Sequence, residues 1–362
     1  MIPVCPRVGY AAHYHCGSET PQNILRLKQF YDYDPFVTIP GQDLPLGNPF
    51  EAFSYAPGVN VDIEVRDEGP KRIVERTVHT PDGDMHEVQV VVNPGHKEYG
   101  YAPDPVHIEY MVKGAEDLPK VRHLIAPVNA SLADEYHGWE AVAGQEAVTR
   151  ACVYGPIGYQ AGSVMSVEDM MINYLTNREI VVELVDMFRQ AFTAQLKAML
   201  EGGVRYFYSS WFAHSLSVGW SPQIFREWFL PMIKEHVDLI HTYDGIVDYY
   251  DDGKCMGIVP MLLEAGVDVL ETCTPPPVGD FDLAEAKKLC GNKMTLMGYT
   301  DLIYVIQRGT VEDVRRTVEE ACRIGGKGDC FILGTSDSIR ENTPIENIDA
   351  YFKYAREYGK MQ

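Results

Sequence analysis

From residue 148 onward the chain repeats one pattern: a short apolar run, a break at glycine, proline or a polar cluster, then a helix-forming stretch. The runs Val148–Tyr154, Val204–Ser210, Gly245–Asp252, Val267–Cys273, Lys293–Tyr299 and Asp329–Thr335 read as strands. Between and after them, Val167–Tyr174, Glu179–Glu201, residues 221–243, Met256–Ala265, Leu283–Leu289, Thr310–Ile324 and Pro344–Tyr358 read as helices. The longest is amphipathic, with Val182, Val185, Phe188, Phe192 and Leu196 on one face. Gly202-Gly203 closes it, and Ser221-Pro222 opens the next with an N-cap and a proline at the first turn. Alternating strands and helices imply a parallel sheet. With Asp34–Pro40 the series holds about seven strands, and its natural closure is a single (β/α)8 TIM barrel spanning residues 1–362. No GxGxxG follows the first strand and no GxxxxGK[ST] occurs, so neither dinucleotide nor P-loop binding is supported.

The N-terminal part differs. Pro21–Phe30 reads as a helix, and residues 41–57 as a Pro/Gly-rich loop. Val59–Val65, Arg72–His79 and Met85–Val92 then alternate apolar and polar residues, with a turn at Pro81–Asp84, which predicts an antiparallel β insertion over 58–93. Residues 93–125 read as loop and short helix. A hydrophobic fraction of 46% over 362 residues is ample for a large core. A net charge of −21 argues against nucleic acid and anionic membranes as partners. No apolar run reaches the roughly 18 residues of a membrane span, the first residues lack the pattern of a secretory signal, and eight cysteines form no CxxC pair. The expectation is a cytoplasmic protein with reduced thiols.

In a parallel barrel the C-terminal strand ends converge on one mouth, where chemistry is carried out. The stretch GIVDYYDDGKC (Gly245–Cys255) starts apolar and ends in Asp248, Asp251 and Asp252 beside Tyr249 and Tyr250, before a glycine and a helix. Other strand ends supply Tyr154, Trp211, Glu271, Cys273, Tyr299 and Asp337, with His214 nearby. The expected catalytic set is Tyr250, Asp252, Glu271 and Asp337, for acid–base work. Asp252, Glu271 and Asp337 also form an oxygen-donor set that could hold a hard cation. Arg7, His13 and His15 near the start, with Tyr154, Trp211, His214, Tyr299 and Arg340, are expected to line the substrate pocket. His13-x-His15-Cys16 is a weak metal pattern, because three nearly adjacent side chains rarely face one ion.

Several segments resemble the uroporphyrinogen decarboxylase superfamily in order: SPQIFREWFLPMIKEHVDLIH, YYDDGKCMGIVPMLLEAGVDVLE, LAEAKKLCGNKMTLMGYTD and DCFILGTSDSIRENTPIENIDAYFKYARE. PVCPR and EYMVKGAEDLPKVRHLI extend the likeness toward the N-terminus. The resemblance implies a (β/α)8 barrel and points to the corrinoid-dependent methyltransferase branch. There, the strand matching residues 246–252 ends in His-x-Cys, and a further Cys precedes the closing helix, together binding zinc. Here those positions are Tyr250, Asp252 and Asp337, which does not fit a thiolate zinc site. The decarboxylase branch carries RQAGR near its start, where this chain has only Arg7, and an acid at a strand position where DPFVTIP has none. An acidic mouth would also oppose a polycarboxylate porphyrinogen. The resemblance therefore implies a demethylating component. It would move a methyl group from a small, flat or aromatic methyl ether or amine to the corrinoid (cobalamin) of a partner protein, with acid-assisted protonation of the leaving atom. It also implies a homodimer as one arrangement. Two alternatives stay open: decarboxylation of a small acid, and a non-catalytic barrel that binds a small molecule.

Overall fold

The computed structural model describes residues 1–41, 49–52, 56–93 and 105–360. Most of the loop expected at 41–57 lies outside the described residues. The chain divides into two compact units: Met1–Gly41, Ala130–Val153 and Met199–Gln362 form one, and Gln42–Asn129 with Tyr154–Ala198 form the other.

The first unit is built on seven parallel strands: β1 (Phe36–Pro40), β6 (Val148–Tyr154), β7 (Tyr206–Ser210), β8 (Ile246–Tyr250), β9 (Val269–Thr272), β10 (Thr295–Thr300) and β11 (Phe331–Thr335), in the spatial order β1-β6-β7-β8-β9-β10-β11. The described residues thus give seven parallel strands where eight were expected. At the open flank of β11, Val4 forms a parallel bridge with Leu333, Cys5 donates its N–H to the Leu333 carbonyl, and Leu333 donates to Pro3. Asp34, just before β1, donates to the Val4 carbonyl. Residues 3–5 therefore bond on one side to β11 and on the other to the approach of β1.

The sheet is strongly curled. On a flat sheet Tyr208 of β7 and residues beside β11 would stand four strands apart, about 19 Å at ~4.8 Å per strand. Yet Arg7 Nη1 lies 3.3 Å from the Tyr208 hydroxyl and 3.7 Å from Asp337 Oδ1, just past β11. Arg150 of β6 likewise reaches Glu271 of β9 at 2.6 Å. Helices follow the strands and carry the local signals that start and stop them. Ser221 caps the turn at Pro222, and Thr310 with Asp313 forms a reciprocal capping box for the helix Val311–Gly325. Gly266 ends Val259–Ala265 in the left-handed region at φ 85°. Cys5, Val269 and Met297 pack with Phe36 and Ile332 inside the curl.

The second unit holds an antiparallel sheet of β2 (Asn60–Asp67), β3 (Lys71–Thr80), β4 (Gly83–Val92) and β5 (Val106–Glu109), in that order. β5 lies where the sequence reads as loop, because its four residues, VHIE, are too few to show a period. Its neighbours enclose a buried ion cluster: Arg76 Nε donates to Glu87 Oε1 at 2.5 Å, Gln89 donates to the same oxygen at 3.0 Å, and His107 Nε2 lies 2.9 Å from Glu87 Oε2. The helices Val167–Thr176 and Arg178–Glu201 accompany it, the second running past this unit's last residue.

Gly298 in β10 is the tightest point of the parallel sheet. Its φ is +129°, and a Cβ there would lie 1.8 Å from the Thr272 carbonyl oxygen. Gly298→Ala is expected to destabilise by at least about 3 kcal/mol, read as a lower denaturant midpoint; an unchanged midpoint would contradict this register of β9 against β10.

Candidate active site

Side chains alternate across a strand, so residues two apart face the same side. On β8, Asp248 and Tyr250 face the inside of the curl, as Tyr206 and Tyr208 do on β7. They sort into two polar groups, one above the other.

The upper group lies at the strand ends. Residues 3–5 deliver Arg7, whose N–H bonds Thr335 Oγ1 at 3.3 Å. Its guanidinium donates to the Tyr208 hydroxyl, sits 4.7 Å over the Tyr250 ring and faces Asp337. Burial works against the charge on Arg7. The Tyr208 and Tyr250 hydroxyls and the Glu271 and Asp337 carboxylates outweigh it, and its pKa is raised. Tyr250 donates its hydroxyl to Asp252 Oδ2 at 3.3 Å. Burial first, then the charge of Asp337, raise the Asp252 pKa against the opposing effects of Tyr250 and Arg7. Asp337 is held by the N–H of Ser338 and by Arg340 Nη2, both at 2.7 Å. The bond to Asp337 is the main reason the pKa of the mostly exposed Arg340 is raised.

The lower group is fully buried. Arg150 donates through Nη1 to both Asp248 Oδ2 and Glu271 Oε2, and through Nε to Thr38 at 2.9 Å. Its guanidinium also lies 4.4 Å from the rings of Phe36 and Tyr208. Burial opposes its charge, but Glu271 and Asp248 raise its pKa on balance. The Asp248 pKa is raised by burial and then by Glu271, with Arg150 pulling the other way.

The expected site therefore divides. Tyr250, Asp252, Asp337, Arg7 and Arg340 come together at the mouth. Glu271 does not join them: it is spent on Arg150, beneath Tyr208. Asp252, Glu271 and Asp337 consequently do not converge as a ligand set, and among the described residues no three His, Cys, Asp or Glu side chains are placed to hold a metal ion. The same holds for His13-x-His15-Cys16. Those residues lie in a helix, Gly9–Cys16, where His13 stacks on Tyr10 and His15 Nε2 lies 2.9 Å from the Tyr31 hydroxyl, which donates to Asp349.

Trp211 and His214 face the helical layer. Trp211 donates to Ser209 at 2.8 Å and packs against His214 and His236. His214 packs on Phe229, and burial lowers its pKa to about 3, so its ring stays neutral. Tyr299 follows Gly298 with φ +91°, which breaks the alternation; its pKa is raised by burial and then by Glu320 and Asp282, both from the helical layer. Tyr154 ends β6 and belongs to the second compact unit.

The family model described as uroporphyrinogen decarboxylase (URO-D) matches residues 144–358, more than half of the chain. The chain belongs to the uroporphyrinogen decarboxylase family. Among curated relatives it is 26% identical over 137 residues to a methylated-thiol–coenzyme M methyltransferase of Methanosarcina mazei, covering 38% of this chain and 34% of that one. It is 25% identical over 145 residues to a uroporphyrinogen decarboxylase of Trichodesmium erythraeum, covering 39% and 38%. The matches thus span little more than a third of these relatives' length. A solved methyltransferase from Methanosarcina mazei superposes with a TM-score of 0.60 at 16% identity, covering 99% of this chain and 94% of that one, a likeness of fold. Among the described residues no helix is long and apolar enough to cross a membrane.

Two residues of the candidate site, Arg150 and Tyr208, escape a reading of strand ends, and Asp248, read among the acids that close Gly245–Cys255, stands inside β8 and pairs with Arg150 instead. The signal is a charge in mid-strand, as in VTRACVY and IVDYY, since a charge in a buried strand needs a partner. Arg150→Met would leave two buried carboxyls without their cation and is expected to cost about 3–5 kcal/mol in denaturant unfolding.

Asp251 gives a second prediction. It is fully buried, and burial, then the charge of Asp252, push its pKa well up against the Ser215 hydroxyl. A carboxyl with a raised native pKa binds its proton more tightly folded than unfolded. Its contribution is therefore full below about pH 4 and fades as pH rises toward the native pKa. Relative to Asp251→Asn, the wild type should lose stability above about pH 5, with a limiting slope of about 1.4 kcal/mol per unit. Parallel stability curves would contradict this.

Proposed function

We propose that this protein is the demethylating component of a corrinoid-dependent methyltransferase system, taking a methyl group from a small, flat methyl ether or amine. Membership of the family and similarity to a methylated-thiol–coenzyme M methyltransferase support methyl transfer. The observation that carries the reading is the bond from Tyr250 to Asp252 at the mouth, beside Arg7 and Asp337, with the Asp252 pKa raised. The corrinoid, brought by a separate protein, supplies the nucleophile that accepts the methyl group.

This chain's residues do the rest. Tyr250 occupies Asp252 Oδ2, which leaves Oδ1 to carry the acid proton to the departing oxygen or nitrogen. Arg7 holds the Tyr208 hydroxyl and lies over the Tyr250 ring, and the two rings pack on each other at 5.3 Å between centroids, which fixes the Tyr250 hydroxyl against Asp252. At the positions of the His-x-Cys and Cys ligands stand Tyr250, Asp252 and Asp337, which do not fit a thiolate zinc site. No step is therefore assigned to zinc. In this reading residues 3–5 are the eighth member of a closed ring, and the antiparallel sheet is an insertion into that one barrel.

A second reading has one observation in its favour: Arg7 at the mouth could hold a carboxylate, as decarboxylation of a small acid requires. It predicts CO2 release without a corrinoid partner. The test is the formation of methylcobalamin from cob(I)alamin in the presence of methoxylated aromatics or methylamines. Asp252→Asn is expected to lower turnover by about 10²–10⁴ with an unchanged melting curve. A non-catalytic binding barrel would show no turnover in the wild type, and an unaffected Asn variant would remove Asp252 from the mechanism.

A further inference from the structure

The lower polar group has a charge imbalance that its own hydrogen bonds do not resolve. Arg150, Asp248 and Glu271 come from β6, β8 and β9 and are 4%, 0% and 1% exposed. Two ionised carboxylates against one guanidinium would leave a net charge of −1 in the interior. Among the groups facing them, Thr38 and Tyr206 are neutral hydroxyls, and Cys5 and Cys273 are buried thiols whose pKa values burial raises. Tyr208 and Tyr250 are hydroxyls that burial keeps protonated, and Arg7, although Glu271 adds to its raised pKa, makes its polar contacts with Tyr208 and Asp337 and none with the two carboxyls. A buried uncompensated charge costs several kcal/mol, so such sites take up a proton instead. The inner oxygens, Asp248 Oδ2 and Glu271 Oε2, both accept from the same Arg150 nitrogen. The outer oxygens, Asp248 Oδ1 and Glu271 Oε1, are buried without a hydrogen-bond partner among the described residues. One carboxyl proton held between the two residues answers the charge imbalance and supplies a donor to this pair.

The group also bears on the mouth. Arg150 lies 4.4 Å from the Tyr208 ring, and Arg7 lies 5.7 Å from the same ring while donating to its hydroxyl. Tyr208 thus links the two guanidiniums. We propose that Asp248 and Glu271 share one proton in the native protein and, with Arg150, form a neutral positioning unit that fixes Tyr208 and, through it, Arg7.

Infrared difference spectra of the full chain near neutral pH test the shared proton and need no substrate. Asp248→Asn and Glu271→Gln should each remove one protonated-carboxyl C=O band, because either leaves Arg150 with a single carboxylate. Asp251→Asn serves as a control and removes a different band. A band that survives Glu271→Gln overturns sharing, and the loss of no band in either variant overturns the proton itself. The positioning role rests on the methyl-transfer reading and is measured in the cob(I)alamin assay. Glu271→Ala should lower kcat/KM by about tenfold, and Glu271→Gln should restore it to within about threefold without moving the alkaline limb of the pH profile. A shift of that limb by about one unit in the Gln variant would mean a doubly charged pair, against the proposal. A wild type inactive toward every donor would withdraw the methyl-transfer reading, and the infrared result alone would then decide this one.

Discussion

The contacts of Arg7 tie the parallel unit together. One guanidinium meets a hydroxyl from β7, a ring from β8 and a carboxylate beyond β11. It can do so only because the sheet curls and because residues 3–5 lie against β11. The same short segment therefore completes the hydrogen bonding of β11 and supplies the cation of the mouth. Structure and chemistry are coupled here through a handful of N-terminal residues.

Below that contact the interior is unusually polar for a strand-lined space. Arg150, Asp248 and Glu271 occupy positions where aliphatic side chains would pack at less cost. An apolar layer of Cys5, Val269, Met297, Phe36 and Ile332 packs beside it. What the polar group contributes is geometry. Its bonds fix side chains from three strands, and the Tyr208 ring carries that order upward to Arg7. The acids at the mouth work under the opposite constraint. Asp252 is pushed toward its neutral form by burial and by Asp337, which suits a group that must give up a proton.

The strand–helix alternation was legible because each unit carries its own punctuation, such as the Thr310–Asp313 capping box and Ser221-Pro222. Residues 3–5 were not, since a few residues show no period and their partner on β11, Leu333, lies more than 300 positions away. The candidate site was half legible. Tyr250, Asp252 and Asp337 were marked by acids at strand ends, and alternation explains the rest. Trp211, at the end of β7, turns to the helical layer, whereas Tyr208 and Tyr250 turn inward. Tyr299 departs from simple alternation because the backbone at Gly298 and Tyr299 takes positive φ. Glu271 stands at a strand end but points to Arg150, a partner that only the folded chain brings near.

The proposed methyl transfer depends most on Asp252 being a carboxylic acid, with its proton on, when the protein meets its substrate. Carbon-13 NMR of aspartate-labelled protein, with the Asp252 signal assigned by its loss in the Asn variant, measures this directly. The expected midpoint lies above the usual aspartate value of about 3.9, with Tyr250→Phe raising it further because that hydroxyl favours the ionised form. A midpoint at or below the usual value, in a folded protein with Arg7 in place, would contradict it.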